Sequence, residues 1–112
     1  MKRQNRITRA DDFKRVRQDG KLIAHSLVNI LVLHVSGDTH RFGIIVGKPI
    51  GNAVTRNLVK RRIRAAADQF IEKINTGADI LVIAKPSASL AEFDEIYRAI
   101  AYGLQKAGLL LD

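Results

Sequence analysis

The sequence predicts an α+β fold, a single-domain two-layer sandwich in the order α-β-β(-β)-α-β-α. Three observations predict it. Short apolar runs such as Ile30–Leu33 and Ile80–Ala84 are bounded by turn residues and have strand length. Two longer segments, 53–75 and 89–107, repeat apolar residues with helical spacing. No repeat, low-complexity tract or Pro/Gly/Ser linker divides the 112 residues, so 1–112 reads as one domain. A chain of this size buries roughly 60–70% of its unfolded surface, enough for one core without staples.

The first helix is expected over Thr8–Asp19. Thr8 is the candidate N-cap, with Asp11 as its capping-box partner, and Gly20 ends the helix. Asp11 and Asp12 fall in the first turn, where the helix dipole favours anions. Phe13 and Val16 form a thin apolar stripe. Lys21–Ala24 offers a short strand and Ser26–Val35 a buried one. Ser36-Gly37-Asp38-Thr39 is a turn, and Arg41–Gly47 is expected to return as an antiparallel hairpin partner.

Lys48-Pro49-Ile50-Gly51-Asn52 reads as a loop, with Asn52 capping a helix over Ala53–Asn75. Val59, Ile63, Ala66, Phe70 and Ile74 share one sector of that helix, with Ala67 beside it, and must face the core. Asp79–Ala84 is a buried strand stopped by Pro86. Ser89–Ala107 is the last helix, with Ser89 as N-cap, Glu92 at the capping-box position, and Phe93, Ile96, Ile100 and Leu104 inward.

Charge distribution is the strongest functional signal. Net charge is +8 overall, yet residues 1–64 carry 15 Lys/Arg against 4 Asp/Glu, and residues 65–112 carry 4 against 7. Solubility needs no such asymmetry, whereas a polyanionic partner does. Anionic membrane would call for an amphipathic helix with exposed Trp, Phe or Leu, and none is found. The longest apolar runs are far too short to span a bilayer. The basic start Met1–Arg6 is followed by no apolar region of signal-peptide type, and cysteine is absent. The expectation is a soluble, cytoplasmic protein.

Residues 48–64 hold six basic side chains and no acid. Arg56, Lys60 and Arg64 recur at i, i+4, i+8 and share one helix face; Asn57 and Arg61 form a row beside it. Like charges at this spacing destabilise an isolated helix by a few tenths of a kcal/mol per pair, so an external anion is expected there. Gly47 and Gly51 allow close backbone approach, and the helix start at Asn52–Val54 offers free N–H groups beside Lys48 and Arg56. Each feature also has an ordinary reading. A basic helix face is commonly a solvated surface, the glycine loop a plain connection, His25, His34 and His40 strand or turn residues, and Phe13 a core anchor. No Gly-Lys-Ser/Thr follows the loop at P-loop spacing.

Nothing in the chain composes an autonomous active site. Asp11 and Asp12 are adjacent on a helix and diverge, most other acids lie in the second half, and no Ser/His/Asp or Cys/His set stands out.

The stretch Ala53-Val54-Thr55-Arg56-Asn57-Leu58-Val59-Lys60-Arg61-Arg62-Ile63-Arg64 resembles the signature of the protein subunit of bacterial ribonuclease P, Ala-Val-x-Arg-Asn-x-x-Lys-Arg-x-x-Arg, at every fixed position. Asp12-Phe13 with Val16 and Gly20, Phe42-Gly43 through Lys48 with Gly51-Asn52, and Asp79–Ala84 with Lys85-Pro86 resemble other parts of the family in the same order. The resemblance implies a left-handed strand–helix–strand crossover, against the usual right-handed rule, and a fold like the second domain of a small-subunit ribosomal protein.

It also implies a division of labour. An RNA subunit hydrolyses precursor tRNA with Mg2+ held by that RNA and the substrate, and the protein itself holds no metal. The protein binds the catalytic RNA and the 5′ leader, strengthening substrate and metal affinity, with no obligate protein partner. The implied RNA-binding residues are Lys48, Arg56, Asn57, Lys60, Arg61 and Arg64. The implied leader-binding residues are Phe13, Lys14 and Arg17, in a cleft between the first helix and the sheet.

Three departures bear on the leader. Arg17 stands where many members have an aromatic, Lys48-Pro49 replaces a lysine pair, and the sequence ends at Asp112 without a basic tail. The competing readings are a structural ribosomal or general RNA-binding protein, and an autonomous phosphodiesterase. DNA binding is weaker, since no helix-turn-helix spacing appears.

Overall fold

The computed structural model describes residues 1–110, so the acidic end at Asp112 lies outside the described residues. Its elements are Ala10–Asp19 (α1), Lys21–Ala24 (β1), Val28–His34 (β2), His40–Ile45 (β3), Ala53–Asp68 (α2), Ala78–Ala84 (β4) and Phe93–Lys106 (α3). The strands form one sheet in the order β1-β2-β4-β3.

That order corrects the expected hairpin. β2 and β3 are joined by the predicted turn but are not neighbours. β4 lies between them, antiparallel to β2 and parallel to β3. Two causes combine. β4 is apolar on both faces apart from Asp79, and its first five residues are buried, so it belongs at a doubly covered position. The entry to β4 is also pinned beside the β2–β3 turn: Gly77 N–H donates to Gly37 C=O at 2.9 Å, and Val35 N–H donates to Gly77 C=O at 3.1 Å. A Cβ on Gly77 would stand 2.5 Å from the Val35 oxygen, so only glycine admits this approach. The actual hairpin is β1–β2, in register from Lys21↔Val32 to Ala24↔Asn29.

Side chains alternate across the sheet. Ile30, Val32, Phe42, Ile80 and Val82 face α2 and α3 and join Val59, Ile63, Ala66, Ile96, Ile100 and Leu104 in the main core. The sheet and the α2/α3 pair pack as two layers around the main core, and β3, α2 and β4 make the predicted strand–helix–strand unit. On the other face α1 packs Val16 against Leu81, with Ile7, Phe13, Leu31, Leu33 and Ile45 around them.

Element ends differ from expectation where caps compete. α1 begins after Arg9 rather than Thr8, and no side chain caps it. α3 begins after Glu92, whose capping box closes with Glu95. Ser89 instead sits in a 3-10 turn, its hydroxyl donating to Pro86 C=O at 2.9 Å. α2 stops at Asp68, seven residues early. Beyond it, Gln69, Phe70 and Ile71 N–H groups bond three residues back, a tightened path that still buries Phe70 and Ile74.

The segment before α1 lines the outer edge of β3. Ile7 N–H donates to Phe42 C=O at 2.9 Å, and the Asn5 amide donates to His40 C=O at 2.9 Å.

Candidate nucleic-acid interface

α2 is set by its two ends and its buried stripe. The Asn52 side chain accepts from Thr55 N–H at 2.9 Å, capping the first turn, which contains no acid. Val59, Ile63, Ala66 and Ala67 are fully buried against the core. The rotation this imposes turns Asn57, Lys60 and Arg61 outward, with Arg56 and Arg64 half-buried on their flank.

Three adjoining grooves run along this face. Asn57, Lys60, Arg61 and Arg64 line one of about 560 Å3, floored by Val54. Arg56, Asn57 and Lys60 line a second of about 220 Å3 beside Ala53 and Val46. The third, about 230 Å3, lies where α2 meets the β3 edge, and it brings Lys60 and Arg64 together with Phe13, Arg6 and Thr8. Lys60 belongs to all three. The comb and the cleft at α1, two separate surfaces in the sequence, are therefore continuous.

Electrostatically the comb is unanswered. Among the described residues none of Lys48, Arg56, Lys60, Arg61 and Arg64 forms an ion pair. The Arg64 Nε is shielded from solvent and has no hydrogen-bond partner, a condition a phosphate oxygen would relieve. Arg62 is the exception among the six cations of 48–64. It turns to the other flank and donates to Ala91 C=O at 2.8 Å, tying α2 to the segment before α3.

Phe13 is half-buried, its ring packed on Gly43 of β3. Beside it a row of in-register residues, Ala24, Asn29, Ile83 and Ile45, crosses all four strands and remains partly open. The structure does not bring every expected residue to this cleft. Lys14 and Arg17 are exposed on α1 but do not line it, and Lys48 stands exposed on the 3-10 turn Lys48–Ile50, outside the three grooves. Arg6 and Thr8 are there instead, and only the basic run Lys2–Arg6 hinted at the first of them.

α1 is held on the sheet by a clamp that sequence reading missed. Arg41 grips Asp79 with two hydrogen bonds of 2.9 and 2.8 Å and reaches Asp12 at 3.4 Å, while Arg15 bonds Asp12 at 2.8 Å. The hydrogen bond to Asp79 raises the Arg41 pKa above its ordinary value, against an opposing effect of burial. Asp12 and Asp79 are thus occupied in holding α1.

The histidines serve the framework. His40 is buried with Nε2 against Ile71 C=O, His25 Nδ1 accepts from Leu27 N–H at 3.1 Å, and His34 ends β2. No three His, Asp or Glu side chains gather in metal-binding geometry among the described residues.

Comparison with known proteins converges on one family. The family model for ribonuclease P matches residues 1–108. The ribonuclease P protein component of Listeria monocytogenes serotype 4a (strain HCC23) is 37% identical over 112 residues, covering 99% of this chain and 93% of the relative. That of Streptococcus pyogenes serotype M5 (strain Manfredo) is 39% identical over 110 residues, covering 98% and 92%. The solved structure of the Staphylococcus aureus RNase P protein superposes with a TM-score of 0.85 at 30% identity, covering 96% of this chain and 98% of that one. The RNase P protein of Thermotoga maritima gives 0.80 at 26% identity, covering 90% and 96%.

Proposed function

Because the chain belongs to the ribonuclease P protein family, as the protein subunit of the endoribonuclease that matures tRNA 5′ ends, we propose that it works by gripping two RNA segments with one continuous surface. The α2 comb, Arg56, Asn57, Lys60, Arg61 and Arg64, together with Lys48 on the turn before it, holds the catalytic RNA. The cleft at Phe13 holds the single-stranded 5′ leader of precursor tRNA, one base stacking on the half-buried ring. Lys14 and Arg17, exposed on α1, meet the leader backbone as it leaves the cleft. The observation that carries this reading is the sharing of Lys60 and Arg64 between the comb and the Phe13 cleft.

Hydrolysis in this scheme belongs to the RNA, with Mg2+ held by RNA and substrate. Asp12 is engaged with Arg15 and Arg41 and serves to hold α1 on the sheet. The protein contributes position: the cations neutralise crowded phosphates where leader and catalytic RNA converge, which raises the affinity for substrate and for the metal between them. No helix among the described residues is long and apolar enough to cross a membrane. We place the protein in the cytoplasm, with its substrate.

Reconstitution tests the proposal. Purified protein is mixed with a bacterial ribonuclease P RNA and a precursor tRNA at low Mg2+. Cleavage at the mature 5′ end should require the RNA and rise sharply with protein. Cleavage by the protein alone would overturn the division of labour, and RNA binding without stimulation would favour a structural RNA-binding role.

A further inference from the structure

A second basic–aromatic row lies on α3. Arg98, Tyr102 and Lys106 recur at i, i+4, i+8 and share one face of the helix, spanning about 12 Å along its axis. The opposite face carries Ile96, Ile100 and Leu104 into the core. All three members of the row are exposed, and Tyr102 keeps 42% of its surface.

The tyrosine ring is held in place. The Lys106 ammonium lies 5.7 Å from its centroid, and the His25 ring packs beside it at 5.7 Å, tilted by 58°. His25 is fixed in turn, because its Nδ1 accepts the Leu27 N–H. In the neutral imidazole the proton then sits on Nε2, leaving a donor at the edge of the site. Among the described residues neither Arg98 nor Lys106 forms an ion pair. α3 packs on β1 and β2 as well as on α2, and β1 is the sheet edge opposite β3, on which α2 packs. No member of the row lines the grooves of the comb or of the Phe13 cleft.

We propose that His25, Arg98, Tyr102 and Lys106 form a second, weaker seat for single-stranded RNA on the sheet edge opposite α2. The proposal rests on the reading that the chain works inside an RNA assembly. The unpaired cations select a polyanion. The half-exposed ring selects a base free of its stack, hence a single strand rather than a duplex. On binding, Lys106 leaves the ring face for a phosphate, a base takes its place on Tyr102, and the His25 Nε2–H donates to that base or its ribose. With two cations the seat adds a salt slope of about 1.4 at most, well below that of the comb.

The two tyrosines of the chain make the test selective. Tyr97 is stacked on Phe70 at 4.8 Å and serves as the internal control. The full chain is labelled with 3-fluorotyrosine and titrated with a short oligouridylate past saturation of the comb, following the fluorine signals and the Arg61 amide. The Tyr102 signal should shift saturably while Tyr97 stays in place. Tyr102→Ala should weaken binding of a ribonuclease P RNA by about fivefold or more, and Tyr102→Phe should retain it. A Tyr102 signal that stays still while the Arg61 amide moves overturns the seat alone and leaves a solvated face or a protein-binding one. If neither moves, the RNA-binding reading falls and the seat falls with it.

Discussion

The Phe13 ring rests directly on the Gly43 backbone: a methyl group at Gly43 would stand 2.7 Å from Phe13 Cε1 and 2.6 Å from Leu81 Cδ2. Gly43→Ala should therefore lift the ring, destabilise the fold by about 1–3 kcal/mol and weaken leader binding. Urea denaturation beside a fluorescent-leader titration checks both. An unchanged midpoint with unchanged affinity would mean that Phe13 has room to move without consequence.

Arg61→Ala and Arg64→Ala should each lower RNA affinity and flatten its salt dependence by about one unit of slope at most. Arg62→Ala, one position along from Arg61, should leave the slope alone and cost about 1 kcal/mol of stability, because its target is the Ala91 carbonyl. Binding measured across a salt series separates the three. Equal slopes in all three variants would reduce the comb to a solvated face.

Arg41→Ala leaves the Asp79 carboxylate, 1% exposed, without its bidentate partner. The expected loss is about 2–4 kcal/mol, tempered by Arg15, which stands 3.5 Å from the same carboxylate. The Arg41 pKa is raised on folding, so its contribution is complete below the unfolded value and fades only as pH climbs through the higher folded one. Between neutral and mildly alkaline buffers the difference in unfolding free energy between wild type and variant should stay constant. A difference that shrinks over that range would place the controlling proton elsewhere.

Asn52→Ala removes the acceptor for Thr55 N–H and should cost about 1 kcal/mol. Thermal melting reads the cost directly. A melt identical to wild type would mean that solvent replaces the cap.

The buried stripe of α2 was legible because helical periodicity reports the core face whatever the neighbours do. Val59, Ile63, Ala66, Ala67, Phe70 and Ile74 are all buried. The same periodicity concealed the end of the helix, since the tightened turns after Asp68 carry Phe70 and Ile74 inward just as a helix would. Strand order was hidden for a different reason. Adjacency in sequence suggested that β2 and β3 pair, whereas pairing is decided by which strand tolerates cover on both faces, and that strand is β4. The signature motif identified the comb by type and spacing. Its junction with the Phe13 cleft was not legible, because Arg6, Phe13 and Arg64 meet only once β3 is placed at an edge. The Arg41–Asp79 clamp joins residues 38 positions apart, with no local pattern to announce it.

The segment along the outer edge of β3 has a consequence for the protein before it meets RNA. An open strand edge is a template on which another copy can add, and here the chain's own residues Asn5 and Ile7 occupy part of it. The occupying stretch bears Arg3, Arg6 and Arg9, so two copies approaching along this side repel before backbone groups can meet. Self-recruitment is discouraged by like charges, the same charges that, on the function proposed above, favour a polyanion, so this edge of the free protein is guarded against its own copies.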